Sequence, residues 1–315
     1  KNIIFARNFH SMVIWIALIL YKVIDGIADC YESEFQRQGK LYITGQSLCA
    51  RTLFSIAIFL IVLAVTKNLT IACIAFVPAL LIGLWIFAIR PLRKINEVQW
   101  QCIRGSVRTL FRTSVWLFVS AFLDFYVFSS SKYAVDAVMG SSFSGIYNLL
   151  FMPSNFIYLL ANFIIRPALP RLAALWQEGK TGDFRKEEGG LMKKVLLLSF
   201  VLLILAILFS PLALWILERL LGEAFYGKMT AERFSFCLLI LGGCFYALAN
   251  LEYYLLVTKR RQKKIFAGYL IASVLSFFTA DYMLLRGGFF FGSLHFAGMM
   301  LFLFLFFFLS EKTRK

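Results

Sequence analysis

A 315-residue chain that is 60% hydrophobic and only 16% charged, with a mean hydropathy of +0.77, carries more apolar surface than a soluble fold could bury. Its formal charge of +16 comes from 33 Lys and Arg against 17 Asp and Glu. These lie between apolar blocks, as in membrane-protein loops, and the pattern argues against a nucleic-acid-binding face. No CxxC pair occurs among Cys30, Cys49, Cys73, Cys102, Cys237 and Cys244, and His10 and His295 are the only histidines. That excludes a zinc or disulfide framework, predicts ordinary buried thiols, and leaves no cofactor to expect.

The chain opens on Lys1 with no signal-peptide pattern and reads as beginning partway through a longer protein. Nine segments are apolar for about 20 residues, the length that spans a bilayer. They cover 10–29, 47–66, 69–89, 110–131, 142–165, 193–217, 234–257, 265–285 and 289–309. Only Lys67-Asn68 separates the second from the third, which predicts a tight helical hairpin. The class expected is an all-α polytopic membrane protein.

Alternate loops hold 24 and 8 of the Lys and Arg residues, with Lys22 inside a span. The richer side is expected to be cytoplasmic, with the C-terminus on it and Lys1 opposite. An odd number of helices is then expected upstream. Loop 90–112 is basic and interrupted by aliphatics, as in a surface-lying amphipathic helix. The polar stretch 177–192 is too short for a soluble domain.

Charged groups at membrane depth are costly and tend to face a protein interior or a water-filled cavity. In the first segment Lys22, Asp25 and Asp29 share one helix face, either as a local ion pair or as a cavity-facing ion or proton site. In the fourth, Thr113, Ser120 and Asp124 share a face; Asp124 is a coupling site or a partner of Lys132. In the fifth, Ser141, Asn148, Asn155 and Asn162 recur every seven residues, with Arg166 beyond and Pro153 between. That stripe is either interhelical glue or the wall of a hydrophilic pathway. In the seventh, Glu252 lies near the basic loop Lys259–Lys264 and could snorkel to it. The sixth and ninth segments are almost uniformly Leu and Phe and are expected to face lipid. No Ser-His-Asp set, glycine-rich phosphate loop or large loop for a nucleotide-sugar site occurs, so an enzyme is not expected.

The stretch KVIDGIADCYESEFQRQGKLYITGQSLCARTLF resembles the Wzx-type polysaccharide flippases of the MOP exporter superfamily, through Lys22, Asp29, Gln36, Gly39-Lys40 and Arg51. A later stretch is similar to the same family through Tyr147-Asn148, Met152-Pro153 and Arg166-Pro167. The acidic run Tyr31-Glu32-Ser33-Glu34 departs from the glycine-bearing turn of that family.

The resemblance implies a MATE-like bundle, with 1–109 a partial N-lobe (helices 4–6) and 110–315 a complete C-lobe (helices 7–12). Three helices would then precede the chain. It implies alternating-access flipping of undecaprenyl-pyrophosphate-linked oligosaccharide across the bacterial cytoplasmic membrane, for O-antigen or related lipopolysaccharide synthesis. Membrane lipids, H+ or Na+ and other polysaccharide-assembly proteins would be partners, and nucleic acid would not. Lys22, Arg51, Asn148, Asn155 and Arg166 would face the substrate, since a desolvated pyrophosphate needs paired cations. Asp25, Asp29 and Asp124 would couple to the ion. Alternatives are a cation-coupled multidrug exporter of the same superfamily, which prefers an acidic cavity, and a membrane-embedded polymerase or ligase.

Overall fold

The computed structural model describes residues 2–95 and 104–312. Lys1, Cys102 and much of the basic loop 90–112 lie outside the described residues, as do the side chains of His10, Gln36 and Thr113. The chain divides into two units, Lys1–Cys102 and Ile103–Lys315, against an expected boundary at 109. Among the described residues every regular element is helical, and seven helices are long and apolar enough to cross a membrane.

In the first unit, α1 (Asn2–Arg37) leads through Gly39, in the left-handed region at φ 74°, into α2 (Leu41–Thr66). α3 (Leu69–Leu84) continues through a π-helical turn, Trp85–Ile89, into the short α4 (Arg90–Ile95). The expected hairpin at Lys67-Asn68 forms. Lys67 turns the chain in the left-handed region at φ 49°, and the Asn68 side chain accepts from the Thr70 and Ile71 amides at 3.0 and 3.4 Å. These are two of the N–H groups that a helix start leaves without partners. Ile24 and Ala28 of α1 pack with Leu80, Leu84 and Ala88.

The second unit holds α5 (Arg104–Met139), α6 (Ser141–Gln177), α7 (Thr181–Leu221), α8 (Arg233–Thr258) and α9 (Gln262–Lys312). The polar stretch 177–192 is mostly the first turns of α7. α8 is the central element: 72% of its apolar window is buried, against 17% for α7. Its Gly242 and Gly243 let neighbours approach, since a Cβ at Gly242 would meet the Phe296 ring at 2.5 Å and one at Gly243 the Ser154 backbone at 3.1 Å.

At about 1.5 Å per residue, the 51 residues of α9 would reach about 76 Å if straight, far beyond a bilayer. Gly287 and Gly288 leave helical geometry and fold α9 back on itself. Thr279 Oγ1 meets His295 Nε2 at 3.0 Å, and Tyr269 stacks edge-on to Phe307 at 5.2 Å. The two arms match the expected segments 265–285 and 289–309.

The lipid-facing expectation holds for α7, whose Leu197, Phe200, Leu208 and Leu220 are exposed. In 289–309 it applies to one face only: Phe290, Leu294, Leu305 and Leu309 are exposed, whereas Phe296, Met300, Leu303 and Phe307 are wholly buried. A helix that is apolar all round has no periodicity to tell lipid from core. The thiol expectation holds for Cys73 and Cys244 but not for Cys30 and Cys49, which are exposed.

Candidate functional site

The charged stripe of α1 becomes a network with α2. Arg51, 1% exposed, donates to Asp25 Oδ1 at 2.8 Å and to Glu32 Oε1 at 3.5 Å. Ser47 Oγ adds a bond to Glu32 Oε1 at 3.2 Å, and Thr44 Oγ1 one to the Glu32 carbonyl at 3.1 Å. Lys22 lies 3.8 Å from Asp25 Oδ2, the local pair weighed from the spacing, but its side chain is largely exposed. Asp29 is exposed. The guanidinium of Arg51 is thus already neutralised by two carboxylates and leaves little charge for a pyrophosphate. Glu32 stood out in the sequence only as part of the acidic run Tyr31-Glu32-Ser33-Glu34 and not as a site residue, although it stands seven residues from Asp25 and so on the same helix face.

The seven-residue stripe of α6 splits. Ser141, Asn148, Asn155 and Arg166 are exposed, whereas Asn162 is buried and accepts from Asn250 Nδ2 of α8 at 3.2 Å. Each seven-residue step falls about 20° short of two full turns, so three steps rotate the stripe by roughly 60°. That carries Asn162 into the helix interface while Asn148 stays outside, bonded to the Ser144 carbonyl at 2.9 Å.

Asp124 sits in the most distinctive site of the second unit. The Tyr246 hydroxyl donates to its Oδ2 at 2.9 Å, and the Tyr269 hydroxyl lies beside the same carboxyl group. Oδ1 is shielded from solvent and, among the described residues, has no hydrogen-bond partner. The expected alternative, a pair with Lys132, does not form. Eight residues along a helix is about 12 Å, and Lys132 instead lies 4.1 Å from the centre of the Phe151 ring and 5.2 Å from that of Phe128.

Beside Asp124 opens a cavity of about 170 Å³, lined by Ser120, Ala121, Tyr158, Asn250, Tyr253, Tyr254 and Tyr269. At about 30 Å³ per water it holds a few water molecules or a small cation, and is well below the size of a drug-sized ligand site. No lysine or arginine lines it. Four helices, α5, α6, α8 and α9, contribute its walls, which is why only Ser120 and Asp124, both on α5, were legible together in the sequence.

Glu252 also departs from expectation. It is 1% exposed and, among the described residues, both carboxylate oxygens are buried without hydrogen bonds, so it reaches the basic loop only through the electrostatic pull of Lys259. Nearby, Lys259 pairs with Glu188 at 3.7 Å and with Glu311, and rests over the Phe184 ring at 4.6 Å. Burial pushes its ammonium below the usual lysine range, and Glu188 opposes that push. Among the described residues no cluster of His, Cys, Asp and Glu is arranged to hold a metal. No known protein family, curated protein or solved structure matches the chain.

Proposed function

We propose that this chain forms the membrane-spanning body of an alternating-access carrier for undecaprenyl-pyrophosphate-linked oligosaccharide, with Asp124 as its cation-coupling group. The observation that carries the transport reading is the half-bonded Asp124 carboxylate beside a polar cavity inside a spanning helix. A carboxylate with a shielded, unbonded oxygen is costly unless a proton or metal cation joins it, and the cavity has room for one. The exposed Asn148, Asn155 and Arg166 of α6 support a hydrophilic path, since lipid would penalise that face.

Counting both arms of α9 and the charged α1 with the other apolar helices supports nine crossings, three in the first unit and six in the second. The charge asymmetry supports a cytoplasmic C-terminus in the bacterial inner membrane. The substrate class rests on the resemblance in Lys22–Phe54 and around Pro153. With Arg51 committed to Asp25 and Glu32, this reading assigns pyrophosphate to two solvent-exposed cations, Arg166 and Lys22, the latter shared with Asp25.

The acidic, tyrosine-lined cavity is the one observation that favours a multidrug exporter, because aromatic faces attract organic cations. Its volume favours a small ion instead. The test is surface polysaccharide in cells that depend on this gene. Lys22→Ala, Arg166→Ala and Asp124→Asn should each lower it at least about tenfold, the scale of one lost charged contact, with membrane levels of the protein unchanged. Wild-type polysaccharide in all three, together with increased drug sensitivity in Asp124→Asn, would replace the flippase reading with drug export.

A further inference from the structure

The basic residues of the second unit are not spread evenly over its surface. Around Lys259 they are interleaved with Glu188 and Glu311 in a cleft of about 550 Å³. A second cleft, of about 650 Å³, is lined by Arg112, Arg260, Arg261, Lys263 and Lys264 with Val115, Trp116 and Gln262, and no acidic residue lines it.

Five cations crowd one concavity, although like charges repel. Two are held there by main-chain acceptors. Arg261 Nη1 donates to the Ser310 and Glu311 carbonyls, both at 2.9 Å, and Lys264 Nζ donates to the Ser310 carbonyl at 3.0 Å. These carbonyls belong to the last turn of α9, where the helix dipole favours cations. Such bonds fix position and leave the net positive charge in place. Among the described residues no carboxylate pairs with Arg112, Arg260 or Lys263.

The position of the cleft narrows its ligand. Arg112 just precedes the apolar span Ser114–Met139, and Arg260 and Arg261 form the short link between the spans Thr230–Thr258 and Gln262–Lys312. The cleft therefore opens where three spanning segments leave the apolar layer. Trp116, its ring 5.0 Å from that of Phe266 and tilted by 60°, lines the cleft, and aromatic side chains of this kind favour headgroup depth.

We propose that this cleft is a binding site for the phosphate headgroup of an anionic membrane glycerophospholipid. It stands independently of the transport reading. The cations would meet the phosphodiester, while Val115 and Trp116 would lie along the glycerol and first acyl carbons. The Lys259 cleft, with its own carboxylates, would not share this preference.

The test uses the full chain in detergent micelles, with bound lipid counted by native mass spectrometry during titration with phosphatidylglycerol or phosphatidylcholine. Arg112→Gln/Arg260→Gln/Lys263→Gln should lose about tenfold or more in phosphatidylglycerol affinity and show no change with phosphatidylcholine. The charge-matched control Lys186→Gln/Lys193→Gln/Lys194→Gln, exposed on α7, should bind as the parent does. Equal loss in the control, or equal parental affinity for both lipids, would overturn the site. Displacement of phosphatidylglycerol by millimolar inorganic phosphate would assign the cleft to free anions and overturn the lipid. If the triple variant melts early, Arg260→Gln alone, on the exposed link, should still lose affinity several-fold, and parental affinity there would also overturn the site.

Discussion

Each unit holds a carboxylate site among its helices, two carboxylates in the first and Asp124 in the second, and the two sites are built differently. In the first unit, Asp25 and Glu32 share the Arg51 guanidinium, with Ser47 adding a bond to Glu32. The adjoining void, lined by Tyr21, Asp25, Arg51 and Phe76 among others, is only about 40 Å³. In the second unit, Asp124 has tyrosine hydroxyls and no cation, an unbonded oxygen, and about 170 Å³ of polar space beside it. The ion-paired network ties α1 to α2, although Arg51 Nε is itself buried without a partner among the described residues. A carboxylate left short of partners beside open space is poised to take a ligand.

The first contrast predicts the largest effect. Arg51→Ala would leave Glu32 buried and Asp25 half-buried without their shared cation; breaking a buried pair costs about 3–5 kcal/mol, and the low end is expected because Asp25 keeps some solvent and Lys22 at 3.8 Å. Unfolding of the purified protein in detergent, followed by denaturant titration, should show a loss of that size. Neutralising all three together, as Arg51→Met with Asp25→Asn and Glu32→Gln, should recover most of it, because no uncompensated charge remains. A stable Arg51→Ala that has lost transport alone would make Arg51 a ligand contact and dissolve the contrast.

Much of the fold was readable from hydropathy, because crossing a bilayer demands long apolar runs that nothing else requires. The Lys67-Asn68 hairpin was readable too, since Asn is a natural helix cap. The sites were less so. Lys22 and Asp25 are three residues apart on one helix, and their pairing follows from spacing. The tyrosines around Asp124 come from helices more than 100 residues downstream, Tyr246 and Tyr269, and no local pattern marks them. Glu252 and the buried face of the second α9 arm were misread for a related reason: burial inside a bundle depends on which helix packs there, and α8 is the centre.

The second unit offers a smaller perturbation. Tyr246→Phe deletes the 2.9 Å bond to Asp124 while keeping the ring contact with Phe128 at 4.6 Å. A hydrogen bond to a charged group contributes about 1.5–3 kcal/mol. If Asp124 resides as a bare anion, stability should fall by about that amount. If a proton or cation accompanies it, the hydroxyl matters less, and the loss should stay near 1 kcal/mol. The coupling reading expects the smaller value. The same denaturant titration separates the two, and a large loss would make the Asp124 site a balanced network like that of Arg51.

The smallest effect sharpens the first unit's side of the contrast. A Cβ at Gly83 of α3 would lie 3.3 Å from the Arg51 Cγ and 3.7 Å from Ser55 Oγ. This is close, yet it touches side-chain atoms and leaves the backbone clear. Overpacking a well-filled site costs about 1–3 kcal/mol, and here the low end is expected because the Arg51 stem can shift by a few tenths of an ångström. Such a shift would lengthen the 3.5 Å contact with Glu32 before the 2.8 Å bond to Asp25. Gly83→Ala should therefore cost about 1 kcal/mol in the parent and less in the variant carrying Arg51→Met, Asp25→Asn and Glu32→Gln, where a straight side chain replaces the forked guanidinium. Equal costs in both backgrounds would mean that α3 merely closes against α2 at Gly83 and takes no part in holding the Arg51 network.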